Sequence, residues 1–235
     1  MLFRSRACGG SLKIETKGLL FDMDGVLISS IGGVVRCWRR WAQMYSIPNW
    51  ENYQIPHGTR AIDVIRQLRP DLDEAGVREG LRIIEDLEID DTEDLKVLPG
   101  VRALLASLPP ERWSIVTSAT RRLLLARLKI AELPVPDRVI AGDEVINGKP
   151  HPEPYMTGAK LLGLTPADCI VVEDAPAGVG AGLAAGSRVL GVLGTHTAEQ
   201  LAACTWIVPS LTTVIARPTP NGLELEFDPV SSLAK

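Results

Sequence analysis

Gly18-Leu19-Leu20-Phe21-Asp22-Met23-Asp24-Gly25 is an apolar run that ends in two carboxylates and a glycine. A strand points alternate side chains to opposite faces, so Asp22 and Asp24, two residues apart at its end, emerge on the same side. Ligands of open α/β folds bind beyond the carboxyl ends of strands, and Gly25 lets the chain turn sharply at that point. Taken alone the segment is a weak signal, and a turn with two solvated aspartates accounts for it.

Further short β-type runs follow at Trp113 to Thr117, Arg138 to Ala141, Cys169 to Glu173, Arg188 to Val192 and Trp206 to Val208. Helical patterns at Pro99 to Leu108, Thr120 to Ile130, Pro152 to Leu162 and Ala177 to Ala185 lie between most of them. This alternation predicts an α/β protein with a doubly wound, mainly parallel, Rossmann-like sheet. Leu19-Leu20-Phe21 and Ile170-Val171-Val172 are wholly apolar, as expected of strands covered on both faces. Between Ile31 and Leu95 the alternation stops. Ile31 to Met44, Thr59 to Leu68 and Asp73 to Leu87 have helical periodicity, which predicts an all-helical insertion after the first strand of the sheet.

The chain has 235 residues, is 46% hydrophobic and carries a formal net charge of −4, which suits one domain, or one domain carrying a smaller insertion. With no basic patch, nucleic acid is not expected as a partner. No apolar run is long enough for a membrane span or follows Arg4 and Arg6 as a signal peptide requires, so a cytoplasmic location is expected. Cys8, Cys37, Cys169 and Cys204 form no C-x-x-C pair, which argues against a zinc site and a disulfide framework.

Glu173 and Asp174 close a second apolar strand just before a small-residue helix. If both strand ends open on one edge of the sheet, three or four carboxylates converge and need a cation, and hard oxygen ligands suit Mg²⁺. A capping acid at a helix start is the plainer account of the pair alone. Lys149, in Asn147-Gly148-Lys149-Pro150-His151-Pro152, stands in a rigid turn where it is a fixed point charge or a solvated lysine. Thr117 and Ser118 end another strand and can hold phosphate or cap the following helix.

In this chain order the four elements resemble the haloacid dehalogenase-like superfamily, from about Lys17 to Val208, with the insertion in the place of that family's helical cap. Within it the chain is most similar to glycerol-phosphate and deoxyhexose-phosphate phosphatases. The shared stretches are His57-Gly58 with Arg60, Trp113 before Thr117-Ser118, Lys149-Pro150-His151-Pro152-Glu153-Pro154-Tyr155 and Glu173-Asp174-Ala175-Pro176-Ala177-Gly178. The resemblance implies a catalytic core over 13–30 and 96–235 and a cap domain over 31–95. It implies Mg²⁺-dependent hydrolysis of a small sugar or polyol monophosphate, with Asp22 as nucleophile and Asp24 as acid, then base. Lys149 and Thr117 or Ser118 offset phosphoryl charge. Asp22, the Asp24 carbonyl, Asp174 and Glu173 hold the metal, and His57 and Arg60 face the leaving group, unless they simply cap the cap helix. Two rival readings remain. Sugar phosphomutases of the β-phosphoglucomutase kind share the motifs, yet carry a cap histidine near where Val34 stands here; a catalytically idle binding protein would keep the fold alone.

Overall fold

The computed structural model describes residues 11–52 and 58–230. Strand β1 (Leu12–Thr16) leads into β2 (Gly18–Phe21), the apolar run before Asp22, which lies centrally in a six-stranded sheet. A ribbon of β3 (Ile28–Ser29) then opens the insertion, whose helices are α1 (Ile31–Met44), α2 (Ala61–Leu68) and α3 (Glu74–Asp90), and β4 (Lys96–Val97) pairs antiparallel with β3 to close it. Helix α4 (Val101–Ser107), β5 (Trp113–Val116), α5 (Arg121–Ile130), β6 (Val139–Ile140) and α6 (Glu153–Leu161) follow. Next come β7 (Cys169–Glu173), α7 (Pro176–Ala184), β8 (Arg188–Val192) and β9 (Trp206–Val208), before a terminal hairpin of β10 (Ile215–Thr219) and β11 (Gly222–Phe227).

The main sheet runs β6-β5-β2-β7-β8-β9, and every pairing in it is parallel. From β2 the chain winds outward through β5 and β6, then returns to β7 on the other side of β2 and winds outward again. The winding therefore reverses beside β2, and the crevice outside the carboxyl ends of β5, β2 and β7 is the place such a sheet offers a ligand. Leu19, Phe21, Ile115, Ile170 and Val172 enter one core, while Leu20, Val116 and Val171 enter the core on the opposite face. Each such buried side chain contributes roughly 1.5–3 kcal/mol relative to exposure.

The insertion has a core of its own, centred on Trp41, whose indole N–H donates to the Gly80 carbonyl at 2.9 Å and whose ring stacks on Tyr45 at 4.2 Å. Its entry and exit are tied together: Arg36 donates to Asp91 at 2.9 and 2.7 Å and to Asp94 at 2.6 Å. Among the described residues no helix is long and apolar enough to cross a membrane.

A second sheet, β1-β11-β10, is antiparallel and was not foreseen from sequence. Its signal is the alternation Leu223-Glu224-Leu225-Glu226-Phe227, in which the apolar residues enter the first core and Phe227 meets Trp206 edge-on at 5.8 Å. The hairpin is thus part of the folded unit. Leu225→Ala is expected to lower unfolding free energy by about 2–5 kcal/mol, with Glu224→Ala changing it by about 0.5 kcal/mol or less, as read from urea denaturation.

Candidate active site

Asp22 follows β2, Thr117 follows β5 and Glu173 ends β7, so the parallel register of three neighbouring strands delivers all three residues to one edge of the sheet. The Asp22 amide extends the ladder by donating to the Val172 carbonyl at 3.0 Å. Lys149 arrives from the loop between β6 and α6.

Its ammonium is almost wholly buried and donates to Asp22 Oδ1 at 2.7 Å, Glu173 Oε1 at 2.7 Å and the Val116 carbonyl at 3.0 Å. Three donors meet three acceptors, and the Tyr155 ring lies 4.9 Å from Nζ. The Tyr155 hydroxyl also donates to Glu173 Oε1 at 2.7 Å. Glu173 Oε2 accepts from the amides of Asp174 at 2.9 Å and Ala175 at 3.1 Å. Both Glu173 oxygens are therefore taken, and this carboxylate fixes the lysine and the strand end. A Cβ on Gly178 would fall 1.6 Å from Glu173 Oε1, so the glycine is what allows α7 to start there.

Burial opposes the Lys149 charge, but the two carboxylates outweigh it and hold the ammonium protonated well above the ordinary lysine value. Burial pushes Asp22 up to about 7 against the pull of Lys149, with Glu173 adding to the rise. Asp174 is likewise driven well above the ordinary carboxylate value by burial and by Glu173 and Asp22. A divalent cation would reverse both carboxylate shifts.

The residues fit such a cation. Asp22, Glu173 and Asp174 each offer a carboxylate oxygen within 4.8 Å of the others, and three negative groups face one lysine. Asp174 Oδ1 is buried with no hydrogen-bond partner, while its Oδ2 accepts from Thr195. Gly25, at φ +88°, passes so close that a Cβ there would meet Asp174 Oδ2 at 2.0 Å. With Glu173 engaged elsewhere, Asp22 and Asp174 retain the oxygens best able to ligate a hard metal.

Asp24 turns away from that cluster. Its Oδ1 accepts from Ser30 at 2.9 Å, and its Oδ2 accepts from Arg127 Nη1 at 2.8 Å. Arg127, on α5, also reaches Glu88 of α3 at 3.0 Å. Burial raises Glu88 to about 7 in spite of Arg127, and the same two carboxylates hold the buried guanidinium charged. The cavity above Asp22 is walled by Ile31, Val34, Trp38, Leu81, Ile84 and Leu123, and Glu85 and Glu88 join Asp22 and Asp24 as its acids. Glu85 accepts from the Thr120 hydroxyl.

Among the expected site residues, Thr117 and Ser118 both line this cavity. Thr117 Oγ1 accepts from the Ala119 amide at 3.1 Å, which leaves its own proton to donate, whereas the Ser118 hydroxyl donates to the Gly58 carbonyl at 2.7 Å. Arg60 is placed differently from the expectation. It forks onto Asp63 at 2.7 and 3.0 Å and donates to the carbonyls of Val145 at 2.9 Å and Ile146 at 3.1 Å. It does not line the Asp22 cavity, and it braces the insertion against the loop before Lys149. His57 lies outside the described residues. Arg127 and Glu88 were not singled out from sequence, though a signal exists: each charge falls on the buried stripe of its helix, Leu123-Leu124-Arg127-Leu128 in α5 and Gly80-Ile84-Glu88 in α3. Tyr155, which ends the stretch that begins at Lys149, acts on the site through Glu173.

The family model described as haloacid dehalogenase-like hydrolase matches residues 16–186. Hexitol phosphatase A of Escherichia coli (strain K12) is 39% identical over 211 residues, covering 89% of this chain and 98% of the relative. Glycerol-1-phosphate phosphohydrolase 1 of Saccharomyces cerevisiae is 33% identical over 202 residues, covering 81% of this chain and 80% of its own. The structure of a β-phosphoglucomutase from Clostridium difficile superposes with a TM-score of 0.70 at 21% identity, over 84% of this chain and 92% of that one, a likeness of fold.

The lysine cluster predicts a stability cycle. Lys149→Met leaves two buried carboxylates uncompensated and is expected to cost about 3–5 kcal/mol in urea denaturation. Adding Glu173→Gln to that variant recovers part of the loss, so the two substitutions are non-additive.

Proposed function

The chain belongs to the haloacid dehalogenase-like hydrolases, and from that premise we propose that it is a phosphoric monoester hydrolase acting on a small sugar or polyol monophosphate through an aspartyl-phosphate on Asp22. The observation that carries the reading is the Lys149 ammonium, 2.7 Å from Asp22 Oδ1, in the crevice beside the open oxygen of Asp174. A carboxylate nucleophile needs its charge balanced without being blocked, and a lysine on one oxygen leaves the other to attack. Residues 13–30 and 96–235 form the catalytic core in this reading, and 31–95 form the cap that selects the leaving group.

An Asp22 oxygen forms the bond to phosphorus as the bond from phosphorus to the substrate's alcohol oxygen breaks, and the departing alkoxide takes the proton of Asp24. Water then attacks the phosphorus, gives its proton to Asp24, and inorganic phosphate leaves as the Asp22–phosphorus bond breaks. One group serving both half-reactions is the economy expected of general acid–base catalysis. Lys149 and the Thr117 hydroxyl offset charge on the phosphoryl oxygens. Mg²⁺, held by Asp22, Asp174 and the Asp24 carbonyl, would supply further charge stabilisation there. Water as acceptor, in place of a second sugar, is supported by Val34 in the cavity wall, an apolar side chain near the place where the mutases this chain resembles carry a histidine. Hexitol, glycerol and deoxyhexose monophosphates are the substrates that the relatives suggest.

A panel of those three monophosphates, scored for free phosphate and for isomerised sugar phosphate, tests this. Free phosphate without isomer is expected, abolished by chelation and by Asp22→Asn. Isomer formation would assign the mutase reaction, and no product from any substrate would leave a binding protein. Mg²⁺ is also expected to raise the melting temperature of the wild type and to raise that of Asp174→Asn much less, since a ligand that binds only the folded state stabilises it.

A further inference from the structure

Arg127 and Glu88 are charges on helix stripes that otherwise face apolar cores. A buried ion pair is seldom worth more to stability than well-packed hydrophobic side chains of the same volume, so its presence at a reacting carboxylate calls for another account. Arg127 is 4% exposed and Glu88 9%. The guanidinium takes Asp24 Oδ2 at 2.8 Å with Nη1 and Glu88 Oε2 at 3.0 Å with Nη2, so one planar group spans the two carboxylates. Asp24 is reached from two directions, by Arg127 on Oδ2 and by Ser30 on Oδ1.

The two partners differ in kind. A guanidinium has donors only, whereas a hydroxyl both donates and accepts. The planar guanidinium, fixed at its other nitrogen by Glu88, therefore sets the direction of Asp24 Oδ2, and the hydroxyl adapts to it.

We propose that Arg127, held by Glu88 of the inserted helix α3, is a positioning residue that fixes the rotamer in which Asp24 serves the leaving alcohol. Glu88 acts through Arg127 and does not touch Asp24. The arrangement makes proton delivery depend on α3 lying against α5. This inference rests on the phosphatase reading, in which Asp24 is the acid, and goes beyond it in naming what aims that acid.

The test compares first-turnover release of alcohol from two substrates by rapid quench with Mg²⁺ present. Glycerol 1-phosphate leaves as an alkoxide that needs a proton; 4-nitrophenyl phosphate leaves as a stable phenolate that does not. Arg127→Met is expected to slow the alkyl first turnover by about 10²-fold, the scale of a general acid, and the aryl one by about 3-fold or less. Arg127→Lys is expected to recover part of the alkyl rate, and Glu88→Gln to show the same selective loss at smaller size. Arg122→Ala, which removes the exposed α5-to-α3 bridge to Glu85 and Asp86, serves as control and is expected to alter both rates by one common factor. Equal losses on both substrates in Arg127→Met, or none on either, overturn the proposal. Should Arg127→Met fail to fold, equal loss in Glu88→Gln overturns it. A wild type that releases no phosphate from either substrate is a failure of the phosphatase reading, a result distinct from these.

Discussion

One ammonium group, shut away from water, holds this site together. Lys149 is charged in a place where charge is costly, and it persists because Asp22 and Glu173 each stand 2.7 Å away. The surrounding structure serves that contact. The parallel register of β5, β2 and β7 brings the Val116 carbonyl, Asp22 and Glu173 to one level; Tyr155 and two backbone amides complete Glu173; Gly178 gives it room. Removing the lysine leaves charge without a partner, and removing a carboxylate leaves the lysine half-satisfied. A buried network of this type is stable only when every member is paired.

Asp174 is the exception that gives the cluster its chemistry. One of its oxygens is buried and takes no hydrogen bond, in a site with more negative groups than positive. Unpaired buried acceptors are rare enough to need a reason, and a hard cation is the partner that such oxygens suit.

A few ångströms off, the second set of buried charges solves a different problem. Arg127 and Ser30 each bond one oxygen of Asp24, and together they fix the direction of its carboxyl group. The neighbouring wall is apolar, with Ile31, Val34, Trp38 and Ile84, which strengthens every polar contact inside it. Two lobes are joined at this point, since Arg127 belongs to the core and Glu88 to the insertion. Arg60 makes a similar connection at the other side of the cavity, through carbonyls at Val145 and Ile146, and that is the reason its guanidinium is not directed at Asp22.

The strands of the main sheet and helices α1, α2 and α3 were legible because each depends on periodicity within a few residues: apolar runs bounded by polar residues, or apolar positions three and four apart. Asp22, Glu173 and Thr117 were legible as strand-end residues for the same reason. What the sequence determined was that carboxylates, a lysine and hydroxyls sit at the ends of buried strands, and local chemistry alone was enough for that. The terminal sheet escaped because β1 and β11 pair across some two hundred residues of chain, and short alternating runs carry weak signals until they find each other. Only the tertiary structure decided which oxygen meets which donor: that Glu173 serves Lys149, that Arg60 braces a loop, and that Arg127 bridges Asp24 and Glu88. Those choices depend on the direction of long side chains between elements distant in sequence, and direction in space is set by packing, which no local pattern encodes.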